Sequence, residues 1–240
     1  MTYEEMEAKI AQLREKVEKN EAFNKIPKYY INLDRSKDRR EALEAEIARY
    51  EVENIHRFKA IDGRDIKDIH QGEIDGVQYV NDYSNCTKYQ LAITLSHLEC
   101  IRHAGEKGVF PFIILEDDAR FTLIPHWKKN IDEIITELPE DCDILKLTFG
   151  GVAYLITYKG YKNMDFLFYM NKYYNISRDL NLNNIYYDCD IMKNFKKYYT
   201  KELLFLIYGE EQENSTHTKP RNIKNDLKSC VVKCPQLIKD

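Results

Sequence analysis

The chain has 240 residues, 43% of them hydrophobic, with 36 basic against 40 acidic side chains and a formal charge of −4. That apolar fraction fits one sizeable domain, or one domain with an appendage, and argues against a disordered chain. The near-balanced charge excludes the strong positive field of a nucleic-acid binder, and no apolar run reaches the roughly 18–20 residues that span a bilayer.

In chain order, Tyr3, Met6, Ile10, Leu13 and Val17 recur at spacings of three and four among charged residues, which predicts an amphipathic helix over 3–22. Its seam is about two and a half heptads long, which suits a helix docked on its own domain; the alternative is a short coiled coil that makes a homodimer. Residues 1–24 are therefore set apart as an N-terminal helix, and 25–240 as the main domain. The same stretch lacks the apolar segment of a secretory leader, so a cytoplasmic protein is expected. Cys86, Cys100, Cys142, Cys189, Cys230 and Cys234 form no zinc-type CxxC pairs and are expected as free thiols. Asn85, Asn175 and Asn214 head glycosylation sequons that carry no weight without a secretory route.

Pro27 breaks the helix, and KYYINL (28–33) reads as a buried strand. The polar cluster DRSKDRR leads into a helix with Leu43, Ile47 and Tyr50 on one face, its start placed near 39 by Asp38 and Glu41. IHRFKAID (55–62) reads as a second strand, and 63–87 as a long polar loop or small insertion. Over 88–104 a helix carries two apolar stripes, Leu91-Leu95-Leu98 and Ile93-His97-Ile101, which predicts burial on two sides. VFPFIIL (109–115) runs without polar interruption, as a strand covered on both faces does, and stops at Glu116-Asp117-Asp118. A helix over 126–138, a strand DILKLTF (143–149), a strand AYLIT (153–157) and a helix near 159–171 follow. Beyond 172, Tyr, Asn and Lys dominate until the apolar LLFLIY (203–208). Strands alternating with helices predict an α/β fold with a mostly parallel sheet.

The strongest chemical signal is ILEDDARF, residues 114–121. Three carboxylates in a row raise one another's pKa unless a cation neutralises them. They fall at the carboxyl end of a strand, where open α/β sheets bind ligands. All-oxygen ligands suit Mn²⁺ or Mg²⁺, with phosphate oxygens completing the octahedron; otherwise the triplet is a solvated turn. A second cluster, Asn32, Asp34, Arg35 and Ser36 with Arg39 and Arg40, also lies between a strand and a helix start. It suits an anionic or ribose-bearing ligand, or simply caps the helix. Ser96-His97 lies inside a helix with no G-x-S-x-G elbow, so His97 reads as a core histidine or a neighbour of the ligand. The absence of GxxxxGK[ST], GxGxxG and HExxH removes the common ATPase, dinucleotide and zincin readings. Asp188 and Asp190, two acids amid tyrosines in YYDCDIM, are candidate catalytic bases or else part of a solvated loop. His217 is a candidate further metal ligand.

Taken in order, YYINLDRSKDRR, FKAIDGRDI, LSHLECI, FIILEDDARF, LPEDCDILKL and AYLIT resemble the family 25 glycosyltransferases over about residues 27–165. The resemblance implies a GT-A fold, a UDP-sugar donor, usually a Mn²⁺ ion, and inversion at the anomeric carbon. The transferred hexose would be galactose or glucose, and the acceptor a hydroxyl on a glycan or a collagen-like protein. Asn32, Asp34, Arg35 and Arg40 fall in the family's NLDRS..R motif, Asp62 and Gly63 in its A-x-D-G motif, and Ser96 and His97 in its SH pair. Glu116, Asp117 and Asp118 occupy its acidic metal and nucleotide motif, so Asp118 and Glu116 are expected on the metal and the other matched residues around the donor. One stretch departs: the glycine-rich lead into the SH pair reads Tyr89-Gln90-Leu91-Ala92-Ile93. That departure keeps open a catalytically inactive GT-A-shaped binding or assembly protein, and a nucleotidyltransferase is a further alternative.

Overall fold

The structure, a computed structural model, describes residues 5–7, 21–81, 86–148, 152–164, 168–169, 173–176, 197–199 and 206–207. Its elements begin with β1 (Lys28–Asn32), α1 (Lys37–Arg49), β2 (Ile55–Lys59), β3 (Gln71–Ile74), β4 (Val77–Asn81), α2 (Lys88–Glu106), β5 (Phe112–Glu116) and β6 (Ala119–Arg120). A 3-10 turn at Ile124–His126 is followed by α3 (Ile131–Thr136), β7 (Ile144–Lys146), β8 (Ala153–Ile156) and α4 (Tyr158–Asn163). The last are β9 (Phe168–Tyr169), β10 (Tyr173–Ile176), β11 (Lys197–Tyr199) and β12 (Leu206–Ile207).

Six strands form the central sheet in the order β11-β7-β8-β5-β1-β2. The β1–β2, β1–β5 and β7–β11 pairs are parallel, while β8 runs against both its neighbours. The sheet is mostly parallel, as the alternation of elements predicts. β8 reverses because only six residues separate Lys146 from Ala153, too few for the crossover a parallel neighbour needs. Strand alternation sends Tyr29, Ile31, Phe112, Ile114, Tyr154 and Ile156 to one face, against Leu91, Leu95, Leu98 and Ile101 of α2. Tyr30, Ile113, Leu115, Leu145 and Leu155 face the other way, against Leu43 of α1, Phe23, Phe121 and Trp127. Covering on both faces explains the unbroken apolar runs of β1 and β5.

Residues 21–25 are helical, three residues past the predicted end, and bury Ala22 and Phe23 in the second layer. Phe23 meets Trp127 edge-on at 5.3 Å. The buried Lys28 ammonium caps this helix by donating to the carbonyls of Phe23 (2.5 Å) and Ile26 (2.7 Å). The expected dimer seam falls mainly on 8–20, outside the described residues.

Several boundaries move. α1 begins at Lys37 behind Ser36, not near 39, which leaves Asp38 in its first turn. Within the stretch read as a loop, β3 and β4 form a hairpin closed by Asp75-Gly76 with φ of 51° and 81°. Two positive φ values are what a type I′ turn requires. Ile93 is 40% exposed, so α2 becomes buried on two sides one turn later than its stripes predict. The helix expected over 126–138 splits, because Asn130 and Glu133 form a capping box that starts α3 at Ile131. The helix expected over 159–171 is the short α4, and Phe168–Tyr169 is instead a strand. β3, β4, β10 and β9 make a second sheet, with β4 and β10 parallel. Cys86, Cys100 and Cys142 are buried free thiols. Among the described residues no helix is long and apolar enough to cross a membrane.

Candidate functional site at the end of β5

Register builds the site. Because β1 and β5 are parallel neighbours, Ile31 stands beside Glu116, and the two chains leave the sheet at one level. Asn32, the buried last residue of β1, donates its Nδ2 to Asp117 Oδ2 at 2.7 Å and to the Ser36 carbonyl at 3.1 Å. From β2, Arg57 Nε donates to Asn32 Oδ1 at 3.1 Å, and its Nη2 donates to Asp34 Oδ1 at 2.5 Å. Arg39, in the first turns of α1, pairs with Asp117 and lies 3.4 Å from Asp118 Oδ2. The two polar clusters, far apart in sequence, are thus one cluster in space. Arg35 instead pairs with Asp62 Oδ2 at 2.8 Å, where Arg64 joins it, and Arg40 turns to Glu44 at 3.9 Å. β12 pairs with β6, so residues 206–207 return the chain to the edge of the acidic turn.

The three carboxylates differ. Asp118 Oδ1 is buried with no hydrogen-bond partner. Burial and then the Glu116 charge push the Asp118 carboxyl up to about 7. Burial also raises Asp117, against Arg39 and Asn32. Burial acts the same way on Glu116, but His97, Arg39 and Lys146 outweigh it and hold that carboxyl below the ordinary glutamate value. A buried oxygen without a donor, beside a second carboxylate, is costly in a protein alone and suits a cation. Among the described residues no group of three or more His, Cys, Asp and Glu side chains is arranged to hold a metal ion. One or two carboxylates of the turn would suit only an ion that takes its other oxygens from phosphate and water. Asp188, Asp190 and His217 lie outside the described residues.

Three other motif residues stand behind the turn. Ser96 Oγ accepts from the Ile61 amide at 2.8 Å and donates to the Ala92 carbonyl at 2.7 Å, which ties the loop before Gly63 to α2. A Cβ on Gly63 would lie 2.7 Å from Tyr89 Cδ1 and 2.9 Å from Tyr89 Cα, so the glycine permits close approach to the start of α2. Tyr89, in the stretch that departs from the family pattern, is the residue this glycine packs against. His97 Nδ1 lies 2.7 Å from Tyr154 Oη, and its Nε2 lies 3.6 Å from Glu116 Oε1.

Sequence reasoning missed Arg57, Tyr154 and Lys146. Arg57 follows from the β1–β2 register, which sets it opposite Tyr30, two residues before Asn32. Lys146 carried a readable signal as the one charge among the apolar residues of ILKLTF, and it is buried. Nothing in AYLIT marks Tyr154.

Residues 25–199 match glycosyltransferase family 25 (LPS biosynthesis protein). A search of curated proteins returns no match. The family match reaches past the last resembling motif to include β11, and so takes in the whole central sheet. A match over well over half of the chain, on a mostly parallel sheet of GT-A-like build, places the chain in glycosyltransferase family 25, and its activity is glycosyl transfer.

Proposed function

We propose that the chain moves a hexose, galactose or glucose, from a UDP-sugar to a hydroxyl of a glycan acceptor, with inversion and with dependence on a divalent cation. The observation that carries this reading is the buried, partnerless Asp118 Oδ1 in a turn at the carboxyl end of β5. The family's description as an LPS biosynthesis protein favours a glycan over a collagen-like acceptor.

Asp118, with Glu116, would hold Mn²⁺ or Mg²⁺, which neutralises charge on the departing diphosphate and is worth several kcal/mol of barrier. Asn32, itself fixed by Arg57, holds Asp117 in place through its 2.7 Å bond. Arg39, 41% exposed and in contact with both aspartates, would share a diphosphate between the turn and α1. The chemical step is one displacement. The acceptor oxygen bonds to the anomeric carbon as the bond to the UDP oxygen breaks, through an oxocarbenium-like state, and UDP leaves with the electron pair. The acceptor proton passes to a carboxylate, for which Asp188 and Asp190 are the candidates.

The test is UDP release from UDP-galactose and UDP-glucose, with and without Mn²⁺ or Mg²⁺. Metal-dependent release is expected; no release from either donor under any condition would overturn the proposal. Arg39 already neutralises part of the turn, which favours a second reading, a nucleotide-sugar-binding protein without turnover. That reading predicts UDP binding with no UDP release.

A further inference from the structure

Tyr154 lies on β8 opposite Ile114 of β5, two residues before Glu116. Its ring is buried and stacks on His97, with centroids 5.8 Å apart and planes inclined by 25°. The Lys146 ammonium lies 5.3 Å from the centre of the same ring. Tyr154 Oη is 2.7 Å from His97 Nδ1, and His97 Nε2 is 3.6 Å from Glu116 Oε1. One line of polar atoms thus runs from the core to the acidic turn.

A neutral imidazole carries one N–H and one lone pair. A ring nitrogen that faces a carboxylate is attracted if it bears the hydrogen and repelled if it bears the lone pair. Glu116 therefore selects Nε2–H, which leaves Nδ1 as an acceptor, and the phenol is the donor at hydrogen-bond distance from it. We propose that Tyr154 is a positioning residue for the acidic turn: by donating to His97 Nδ1 it fixes the tautomer whose Nε2–H holds Glu116. Loss of the phenol leaves a buried acceptor without its donor, and a proton that moves to Nδ1 turns a lone pair towards Glu116. Outer partners of this kind are worth about 10–100-fold in metal affinity or activity. The activity arm of this inference rests on the donor site proposed above; the tautomer arm does not.

The experiment compares the wild-type chain, Tyr154→Phe, His97→Gln and the double variant. The Phe variant keeps the stacked ring, and the Gln amide replaces the Nε2–H donor without needing Tyr154. Long-range proton–nitrogen NMR reads the His97 ring, its signals assigned by their loss in His97→Gln. Expected are the Nε2–H tautomer in the wild type, a changed ring spectrum in Tyr154→Phe, and a turnover drop of about tenfold or more. In the His97→Gln background the Tyr154→Phe change should alter turnover by less than about twofold, because a coupled pair is not additive. An Nδ1–H tautomer in the wild type, or an unchanged His97 spectrum in Tyr154→Phe, would overturn the proposal. A wild type without turnover but with the expected spectra would sink the transferase reading alone.

Discussion

Glu99 and Asp118 are both carboxylates withdrawn from water in one domain, and the fold treats them in opposite ways. Glu99, on α2, accepts from Arg102 Nε at 3.0 Å, from Arg102 Nη2 at 2.8 Å and from the Tyr174 hydroxyl at 2.6 Å. Asp118 keeps one oxygen without a partner, and Glu116 adds like charge beside it. A carboxylate satisfied within the chain locks elements together, here β10 onto α2. A carboxylate with an unbonded oxygen and like charge beside it instead marks a candidate functional site.

Breaking the Asp118 side should produce the largest effect. Asp118→Asn is expected to lower turnover by about a thousandfold, in line with the several kcal/mol that a metal site supplies. Thermal stability without ligand should stay level or rise. The pH dependence sharpens the point. Asp118 goes from 3.8 to about 7 on folding, so the folded state keeps a proton that the unfolded chain has released. Its contribution is fully present below about pH 4 and is lost as pH rises towards 7. The ligand-free wild type should therefore lose stability relative to Asp118→Asn across that window in urea titrations; parallel curves would contradict the assignment.

Breaking the Glu99 side should cost stability and not chemistry. Glu99→Ala removes the acceptor that Arg102 and Tyr174 share, while Arg102 keeps Glu106, and is expected to destabilise by about 1–3 kcal/mol, as loss of a buried hydrogen-bond partner does. Turnover of the folded fraction should stay within about twofold. A large loss of turnover at unchanged stability would erase the contrast between the two carboxylates.

Smaller effects test the frame. Gly63→Ala forces a Cβ against the backbone of Tyr89 and should cost about 1–3 kcal/mol by overpacking, read as a lower melting temperature. Gly76→Ala meets open space but must hold φ near 81°, and should cost about 1 kcal/mol. An equal or larger loss at Gly76 would deny the close approach at Gly63.

The acidic turn and the polar cluster after β1 were legible because each follows an apolar strand directly, where a run of charges stands out. The order of alternating elements likewise predicted a mostly parallel sheet. The β3–β4 hairpin was also within reach, since Asp75-Gly76 is a strong I′ turn signal, but QGEI has little β-propensity and hid it. Arg57 and Tyr154 were not legible. Arg57 reaches Asn32 across a strand pairing whose register no local pattern encodes, and Tyr154 of β8 meets His97 of α2 across 57 positions of sequence. Ser96 shows the converse: a motif residue whose hydroxyl is spent on two backbone groups.

Whether the turn after β5 seats a donor diphosphate together with a divalent ion is read from calorimetric binding of UDP with and without Mn²⁺. The wild type should bind UDP at least about tenfold more tightly with Mn²⁺, and Asp118→Asn should lose that gain while still folding. Equal Mn²⁺ enhancement in both proteins, or none in the wild type, would contradict the account.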